Sequence, residues 1–237
     1  MSETEQPVAP LPEPAHSSAV RISLRTAMIL LVFTLVFTAL MAEVYQITKP
    51  VLDETALDAK RRLIAEVLPP DAYDNDLLAD VIELPPLPET GLREPTRLYR
   101  ARQGGQPAAL VFEAAAADGY SGEIRLVLAV RADGRLAAVR VTQHKETPGL
   151  GDYIDPKKDK NKAEPWIRQF ENRDFAGTPR EKWRVRKDGG VFDQRAGATI
   201  SARAVTKATA RAMAWALDHQ DQLFSLPVGT RYEVKNP

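Results

Sequence analysis

Residues 144–151, with the sequence HKETPGLG, combine polar side chains with a proline and two glycines. Glycine lets a backbone approach a flat or anionic ligand closely, and ligand-binding residues are concentrated in loops. The segment follows a predicted strand and is a candidate binding loop. Its composition alone leaves a plain turn as the alternative.

Residues 188–201, with the sequence DGGVFDQRAGATIS, lead into the last predicted helix. Small residues before Thr199 and Ser201 would leave backbone N–H groups and the positive end of the helix dipole open to an anion. The simpler alternative makes Thr199 or Ser201 only the N-cap. The spacing Gly-x4-Gly-Lys-Ser/Thr is absent, as are G-x-S-x-G and H-E-x-x-H, which argues against kinase and hydrolase chemistry.

Composition narrows the chemistry further. The 237 residues are 44% hydrophobic and 27% charged, which fits a folded domain with additional segments. Equal numbers of basic and acidic residues, 32 of each, disfavour nucleic-acid binding. The absence of cysteine excludes thiolate metal sites and a cysteine nucleophile. Asp152, Asp155 and Asp159 lie near four lysines and predict a solvated loop, so we expect no metal site. Chemistry must come from hydroxyls, carboxylates or an organic cofactor.

A membrane anchor is predicted near the N-terminus. Residues 26–42 form an uncharged run of 17 residues, roughly 25 Å of helix, and flanking residues extend the predicted span to 21–45. A cleaved signal peptide is the alternative, but the run is slightly long and its end fits a cleavage site poorly. Arg21 and Arg25 favour a cytoplasmic N-terminus, although the basic residues at 60–62 weaken that asymmetry. The proline-rich residues 1–20 predict a disordered cytoplasmic tail.

Residues 46–95 are expected to form a helix and a connector. Apolar residues recur at helical spacing over 51–68, where Pro69 and Pro70 end the pattern. Six prolines between 69 and 95 then predict an extended connector, or a ribbon wrapped on the body.

Residues 96–237 are expected to form the extracytoplasmic domain. Strands are predicted around 98–101, 108–115, 123–132 and 135–143, with Asp133-Gly134 as a hairpin turn. A polar loop and a short helix from Pro165, with Trp166 and Phe170 on one face, follow. A strand at 182–187 and an amphipathic helix at 201–224 complete the pattern. Strands followed by helices predict an α+β fold, an antiparallel sheet flanked by helices.

Together these segments resemble the G-subunit family of Rnf ion-translocating electron-transport complexes. The stretches HKETPGLGDYI and GGVFDQRAGATISARAV resemble that family's most characteristic sequences. The single N-terminal span, the turn at 119–122, the hairpin and the aromatic pair at 166 and 170 occur in the expected order. The resemblance covers residues 20–220. The C subunit of the sodium-pumping NADH:quinone reductase shares the flavin-binding domain, but these motifs are closer to Rnf.

The resemblance implies a covalent FMN. In this family a threonine that closes an Asp-x-x-Ser/Thr-Gly-Ala-Thr motif is esterified to the phosphate of FMN by a dedicated flavin transferase. Residues 193–199 match that pattern, so Asp193 is expected to belong to the flavinylation motif and Thr199 to carry the flavin. Ala196 departs from the pattern, which prefers a hydroxyl residue there.

The remaining predicted contacts to FMN surround that threonine. Those beside the phosphate and those in the binding loop are Gly197, Ala198, Ser201, Glu146, Thr147, Gly149, Leu150 and Gly151. Tyr120 is expected to stack on the flavin.

The implied function is that of an electron-carrier subunit with no activity of its own, in a membrane-bound ion-translocating oxidoreductase. Its partners would be the other membrane subunits and the flavin transferase, and its place the bacterial inner membrane with a periplasmic domain. Two alternatives stay open. One is a cofactor-free membrane scaffold, and the other is a flavin domain of a different respiratory complex.

Overall fold

The structure, a computed structural model, describes residues 16–233. Helix α1 (His16–Ala65) begins inside the segment predicted as a tail, most of which lies outside the described residues. It joins the two helices predicted at 21–45 and 51–68 into one, because Pro50 does not end it. Proline removes one backbone hydrogen bond, and the helix continues beyond it.

Part of α1 has the composition of a membrane span. From Val20 it contains an 18-residue window with a mean hydropathy of 2.3, and none of that window is buried. A core helix of a soluble protein would be covered by its neighbours, so exposure of this apolar surface agrees with an anchor. Among the described residues this is the one helix apolar enough to cross a membrane. The chain divides into a unit that ends at Ala59 and a unit that begins at Lys60.

The second unit is built on a five-stranded antiparallel sheet. Its strands are β1 (Val81–Leu84), β2 (Thr96–Gln103), β3 (Gln106–Gly119), β4 (Gly122–Arg131) and β5 (Leu136–Gln143). They are neighbours in chain order, so the sheet is a simple meander. The predicted α+β fold with an antiparallel sheet is confirmed.

The sheet begins earlier than position 96, because β1 lies in the segment predicted as a connector. Ile82 and Leu84 are fully buried, and Pro85 follows the strand. Proline cannot donate to a strand ladder and is confined to sheet edges and strand ends. The proline-rich segment therefore supplies a short edge strand.

Both faces of the sheet are covered. Helix α2 (Thr199–Asp218) packs its buried side, which includes Val205, Ala208 and Trp215, in one core with residues of β3 and β4. The opposite face packs against the segment that starts with Ile64, Val67 and Leu68. The predicted helix 201–224 is in fact α2 followed by α3 (Gln220–Ser225).

The predicted strand at 182–187 is wrong. Two 3-10 turns, Arg180–Lys182 and Arg186–Asp188, lie on either side of Val185, which forms a single bridge with Phe192. Trp183 and Val185 are buried at strand-like spacing, but they pack into an aromatic cluster with Phe170 and Phe192. Periodicity records burial of alternate residues and does not reveal whether a partner strand exists. The predicted short helix is confirmed as the 3-10 helix Trp166–Phe170.

Candidate functional site

A cleft of about 380 Å³ brings the two chemically distinctive sequence segments together. The turn between β3 and β4 contributes Tyr120, and the other lining residues come from the binding loop and from the start of α2: Glu146, Thr147, Leu150, Gly151, Gly197, Ala198, Ile200 and Ser201. Seven of the predicted contacts besides Tyr120 therefore meet in one place. Gly149 and Thr199 do not line the cleft, although Thr199 lies between two residues that do.

Glu146 joins the three parts of the cleft. Its Oε1 accepts a hydrogen bond from the backbone N–H of Ser121 at 3.1 Å, and its Oε2 accepts one from the hydroxyl of Ser201. The residue is buried, 4% exposed. Buried carboxylates are unfavourable unless they are hydrogen-bonded, and here each oxygen has a donor. Glu146 thus fastens the binding loop to the β3–β4 turn and to α2.

The binding loop is compact for a steric reason. Leu150 and Gly151 donate backbone hydrogen bonds to the carbonyl of Thr147. A Cβ on Gly151 would lie 2.8 Å from Ser201 Oγ and 2.9 Å from Glu146 Oε2, so a side chain here would displace the hydrogen-bonded pair. Gly149 has a φ of +74°, which favours glycine. This turn forms one wall of the cleft.

Helix α2 begins with unsatisfied donors. Ala198 occupies the N-cap position with φ −132° and ψ 38°, and no side chain caps the helix. Neither Thr199 nor Ser201 is therefore the N-cap. The N–H groups of the first helical residues have no partner inside a helix. Among the described residues, no other group accepts from the N–H of Thr199, Ile200 or Ser201. This end of α2 is suited to an anion.

The hydroxyls of the first turn of α2 have different surroundings. Ser201 is buried, and its hydroxyl donates to Glu146. Thr199 is half-buried, and its hydroxyl has no hydrogen-bond partner within residues 16–233. Of these two residues, Thr199 is the one that is partly exposed and whose hydroxyl has no partner in the described part of the chain.

Three large apolar side chains are exposed at the cleft. Tyr120 is 65% exposed, Leu150 46% and Ile200 43%. Ile200 is not among the predicted contacts; its signal in the sequence is a large apolar residue between two hydroxyl residues. Exposed apolar surface beside converging polar groups is characteristic of a ligand site. The cleft therefore pairs an apolar rim with an anion-binding helix end.

Asp193 lies outside this cleft. It lines a neighbouring polar groove, and its carboxylate pairs with Arg186 Nε at 3.0 Å on the surface. Its backbone is fixed more firmly than its side chain: the N–H donates to Gln169 Oε1 at 2.7 Å, and the carbonyl accepts from Trp166 Nε1 at 2.6 Å. The predicted motif residue is thus presented outward from a held backbone.

The prediction of a solvated acidic loop is wrong for Asp152, which is buried, and above all for Asp159. Its side chain is fully buried and pairs with Arg195, and its Oδ2 accepts from the N–H of Trp166 at 2.7 Å. Burial alone would raise the pKa of Asp159, but the bonds from Trp166, Asn161 and Arg195 outweigh it and hold the pKa below its ordinary value. Local sequence could not reveal this, because Arg195 is distant along the chain.

The fold and the cleft define a class of protein. Residues 119–214 match the FMN-binding domain family, a range that contains all three parts of the cleft. Residues 18–67 match a second family, the RnfG N-terminal region. The domain around the cleft is therefore an FMN-binding domain.

Whole-chain relatives identify the particular family. The G subunit of the ion-translocating oxidoreductase complex of Pseudomonas aeruginosa strain UCBPP-PA14 is 40% identical over 205 residues, covering 86% of this chain and 94% of the relative. The G subunit of the same complex from Escherichia coli O157:H7 is 42% identical over 190 residues, covering 80% and 89%. That from Shewanella loihica is 37% identical over 215 residues, covering 91% and 99%. The chain belongs to the G-subunit family of ion-translocating oxidoreductase complexes, which confirms the resemblance.

Proposed function

We propose that this protein is an electron-carrier subunit of a membrane-bound ion-translocating oxidoreductase, and that it carries FMN covalently on Thr199 through a phosphoester bond. The observation that carries the proposal is the free hydroxyl of Thr199 on the first turn of α2, beside the cleft and its unsatisfied N–H groups. The match to the FMN-binding domain and the membership in the G-subunit family support it.

The residues of the cleft fit the two ends of FMN. The N–H groups of Thr199, Ile200 and Ser201 suit a phosphate, because donors and the helix dipole both favour negative charge there. Tyr120 and Leu150 offer apolar surface to a flat ring. When bound, FMN supplies reversible uptake and release of electrons, while the protein's part is to hold and orient it.

Attachment is a phosphoryl transfer to Thr199. Condensation with free FMN would have to expel water, so the donor is a flavin dinucleotide with an activated phosphate. Thr199 Oγ1 attacks the phosphorus that bears the flavin, forming the Oγ1–P bond as the pyrophosphate bond breaks. The second nucleotide leaves with its phosphate, and the hydroxyl proton passes to solvent or to a base of the flavin transferase. The resulting diester keeps one negative charge at the N-terminus of α2.

Linkage through the phosphate has a functional consequence. It leaves the isoalloxazine ring chemically unmodified, and it prevents loss of the flavin from the domain. Residues that contact only the ring remain free to orient it. A covalent tether at Thr199 therefore suits a carrier that passes electrons repeatedly without exchanging its cofactor.

The proposal includes a membrane topology and partners. α1 would anchor the protein in the bacterial inner membrane with its N-terminus cytoplasmic, since Arg21 and Arg25 precede the apolar run. The flavin domain would then be periplasmic. The protein would have no activity of its own, because one helix and one flavin cannot by themselves oxidise a donor and move an ion. Its partners would be the other subunits of the complex and a flavin transferase.

Intact mass measurement tests the attachment. We would export the full chain in cells that contain a flavin transferase, measure its mass, and map the peptides that cover residues 188–203. The expected result is a mass increase of one FMN less one water, located on Thr199. An unmodified mass in the presence of an active transferase would contradict the proposal and favour a cofactor-free scaffold.

A further inference from the structure

The segment that precedes Thr199 is held by side chains from outside it. Residues 193–198 contain neither helix nor strand. At the start of the segment, Gln169 accepts from the N–H of Asp193 and Trp166 donates to its carbonyl. Towards the other end, the hydroxyl of Tyr153 makes two hydrogen bonds to the backbone of the segment. A stretch without regular structure is thereby fixed at both ends.

Tyr153 makes two side-chain hydrogen bonds to the backbone just before Thr199. Its hydroxyl accepts from the N–H of Arg195 at 3.2 Å and donates to the carbonyl of Ala198 at 3.1 Å. The ring is 1% exposed and lies edge-on to Trp166, with centroids 5.4 Å apart. Burial raises the pKa of Tyr153, so the hydroxyl keeps the proton that it donates.

Arg195 is held by two further contacts. Its guanidinium lies 4.6 Å from the centre of the Tyr153 ring, and it pairs with the buried carboxylate of Asp159. Asp159 also accepts from the N–H of Trp166, so it connects the segment to the same 3-10 helix. Four side chains hold the segment in this way, and we call them the acceptor platform because the segment leads to the threonine proposed to accept the flavin. They are Tyr153, Asp159, Trp166 and Gln169.

We propose that the acceptor platform positions Thr199 for flavin transfer, and that Tyr153 and Gln169 are positioning residues for that reaction. The inference rests on the proposed attachment at Thr199. A transferase must align the threonine hydroxyl with the donor phosphate, and a displacement of about 1 Å can lower a rate by about 100-fold. Ala196 is exposed and has no polar side chain that could order the segment from within. A backbone bond from the N–H of Ala198 to the carbonyl of Arg195 at 3.2 Å closes a turn within the segment, and the platform supplies the side-chain bonds that hold this turn in place.

The decisive variant is Tyr153→Phe, which removes both hydrogen bonds and keeps the ring. The matched control is Tyr99→Phe, because the Tyr99 hydroxyl is buried and has no hydrogen-bond partner in the part of the chain that the structure describes. The measurement is the initial rate of flavin incorporation into the full chain in detergent, with purified transferase and flavin dinucleotide. We expect Tyr153→Phe to be modified about tenfold more slowly than wild type and Tyr99→Phe at the wild-type rate.

A conformational readout separates positioning from general loss of stability. Arg195 is a trypsin site inside the held segment. We expect Tyr153→Phe to be cleaved after Arg195 several-fold faster than wild type, with unchanged cleavage at sites elsewhere in the domain. A uniform increase at all sites would indicate global destabilisation and would contradict a positioning role.

A second variant covers the case in which Tyr153→Phe does not fold. Gln169→Leu removes only the acceptor for the N–H of Asp193 and lies on the half-buried side of the 3-10 helix. It is expected to slow incorporation by severalfold. Modification of both folded platform variants at the wild-type rate would overturn the inference while leaving the proposed function intact. Failure to modify wild type at all would instead overturn the proposed function.

Discussion

Two neighbouring hydroxyls on α2 differ in what they can do. The hydroxyl of Ser201 donates a hydrogen bond to Glu146 and so helps to hold the cleft together. The hydroxyl of Thr199 has no hydrogen-bond partner among the described residues. The proposed ester is on Thr199 because this residue is half-buried and open to a transferase, whereas Ser201 is buried. The hydrogen bond from Ser201 to Glu146 instead keeps the binding loop against the helix.

Thr199→Val removes this hydroxyl and keeps the branched shape of the side chain. Since no ester can form, we expect the variant to show no flavin fluorescence in a denaturing gel while its thermal unfolding stays close to wild type. Thr142→Val, on the exposed end of β5, is the matched control and should remain fluorescent. A fluorescent Thr199→Val band would refute attachment at this position.

Asp193→Ala tests whether the transferase reads the exposed carboxylate. Within the described part of the chain this carboxylate pairs only with Arg186, and an exposed pair contributes about 1 kcal/mol or less to stability, so the fold should survive. We expect a marked loss of covalent flavin, measured by intact mass. Arg186→Ala removes the same ion pair but keeps the carboxylate, and it should be modified normally. Equal loss in both variants would assign the effect to the ion pair, and full modification of Asp193→Ala would exclude the role.

At the scale of elements, an ion pair between the buried Asp159 and the partly exposed Arg195 helps to join two pieces of chain beside the site. Asp159 belongs to the loop before the 3-10 helix Trp166–Phe170, and Arg195 to the segment before α2. Their contact joins two pieces of chain that have no strand or helix pairing between them. Removing one partner leaves the other charge uncompensated, which is more costly than an exposed pair.

Asp159→Asn is therefore expected to destabilise the domain by about 1–3 kcal/mol near neutral pH. The pKa of Asp159 is lowered in the folded state, so its stabilisation is fully present above its unfolded value of about 4 and is lost as the pH falls through the folded value. The gap in unfolding free energy between wild type and variant should narrow below about pH 4. Urea unfolding at each pH, monitored by tryptophan fluorescence, measures this difference in unfolding free energy.

The control for this pH dependence is Asp71→Asn, an exposed carboxylate on the 3-10 turn Pro70–Ala72. It should stay close to wild type at every pH. A gap for Asp159→Asn that is constant from pH 7 to pH 3 would show that the carboxylate's charge is not what stabilises the contact.

At the scale of the whole molecule, the absence of cysteine permits a clean topology experiment. We would introduce Glu5→Cys in the N-terminal segment or Lys158→Cys, an exposed residue of the flavin domain. With a membrane-impermeant maleimide applied to intact cells with a permeabilised outer membrane, only Lys158→Cys should be labelled. Glu5→Cys should react only after lysis, since an arginine-flanked N-terminus is expected inside. The reverse pattern would overturn the orientation.

Much of the architecture was readable from the sequence because it depends on local spacing. The four main strands, the Asp133-Gly134 turn and the apolar helix each follow from a short pattern of residues. The glycines of the two motifs were also informative, since Gly149 and Gly197 both have positive φ. These features depend on the residue types within one short segment, which the sequence displays directly.

Only the tertiary structure decided which polar side chains have a hydrogen-bond partner and which have none. Glu146 and Ser201 are 55 residues apart, and their bond depends on how the sheet places the loop against α2. The burial of Asp159 and the loss of the predicted strand at 182–187 have the same origin. Hydrogen bonds and packing between distant segments depend on the relative placement of whole elements, which no local pattern encodes. The sequence determined that Thr199 lies in a distinctive motif, and only the fold decided that its hydroxyl is free beside a cleft.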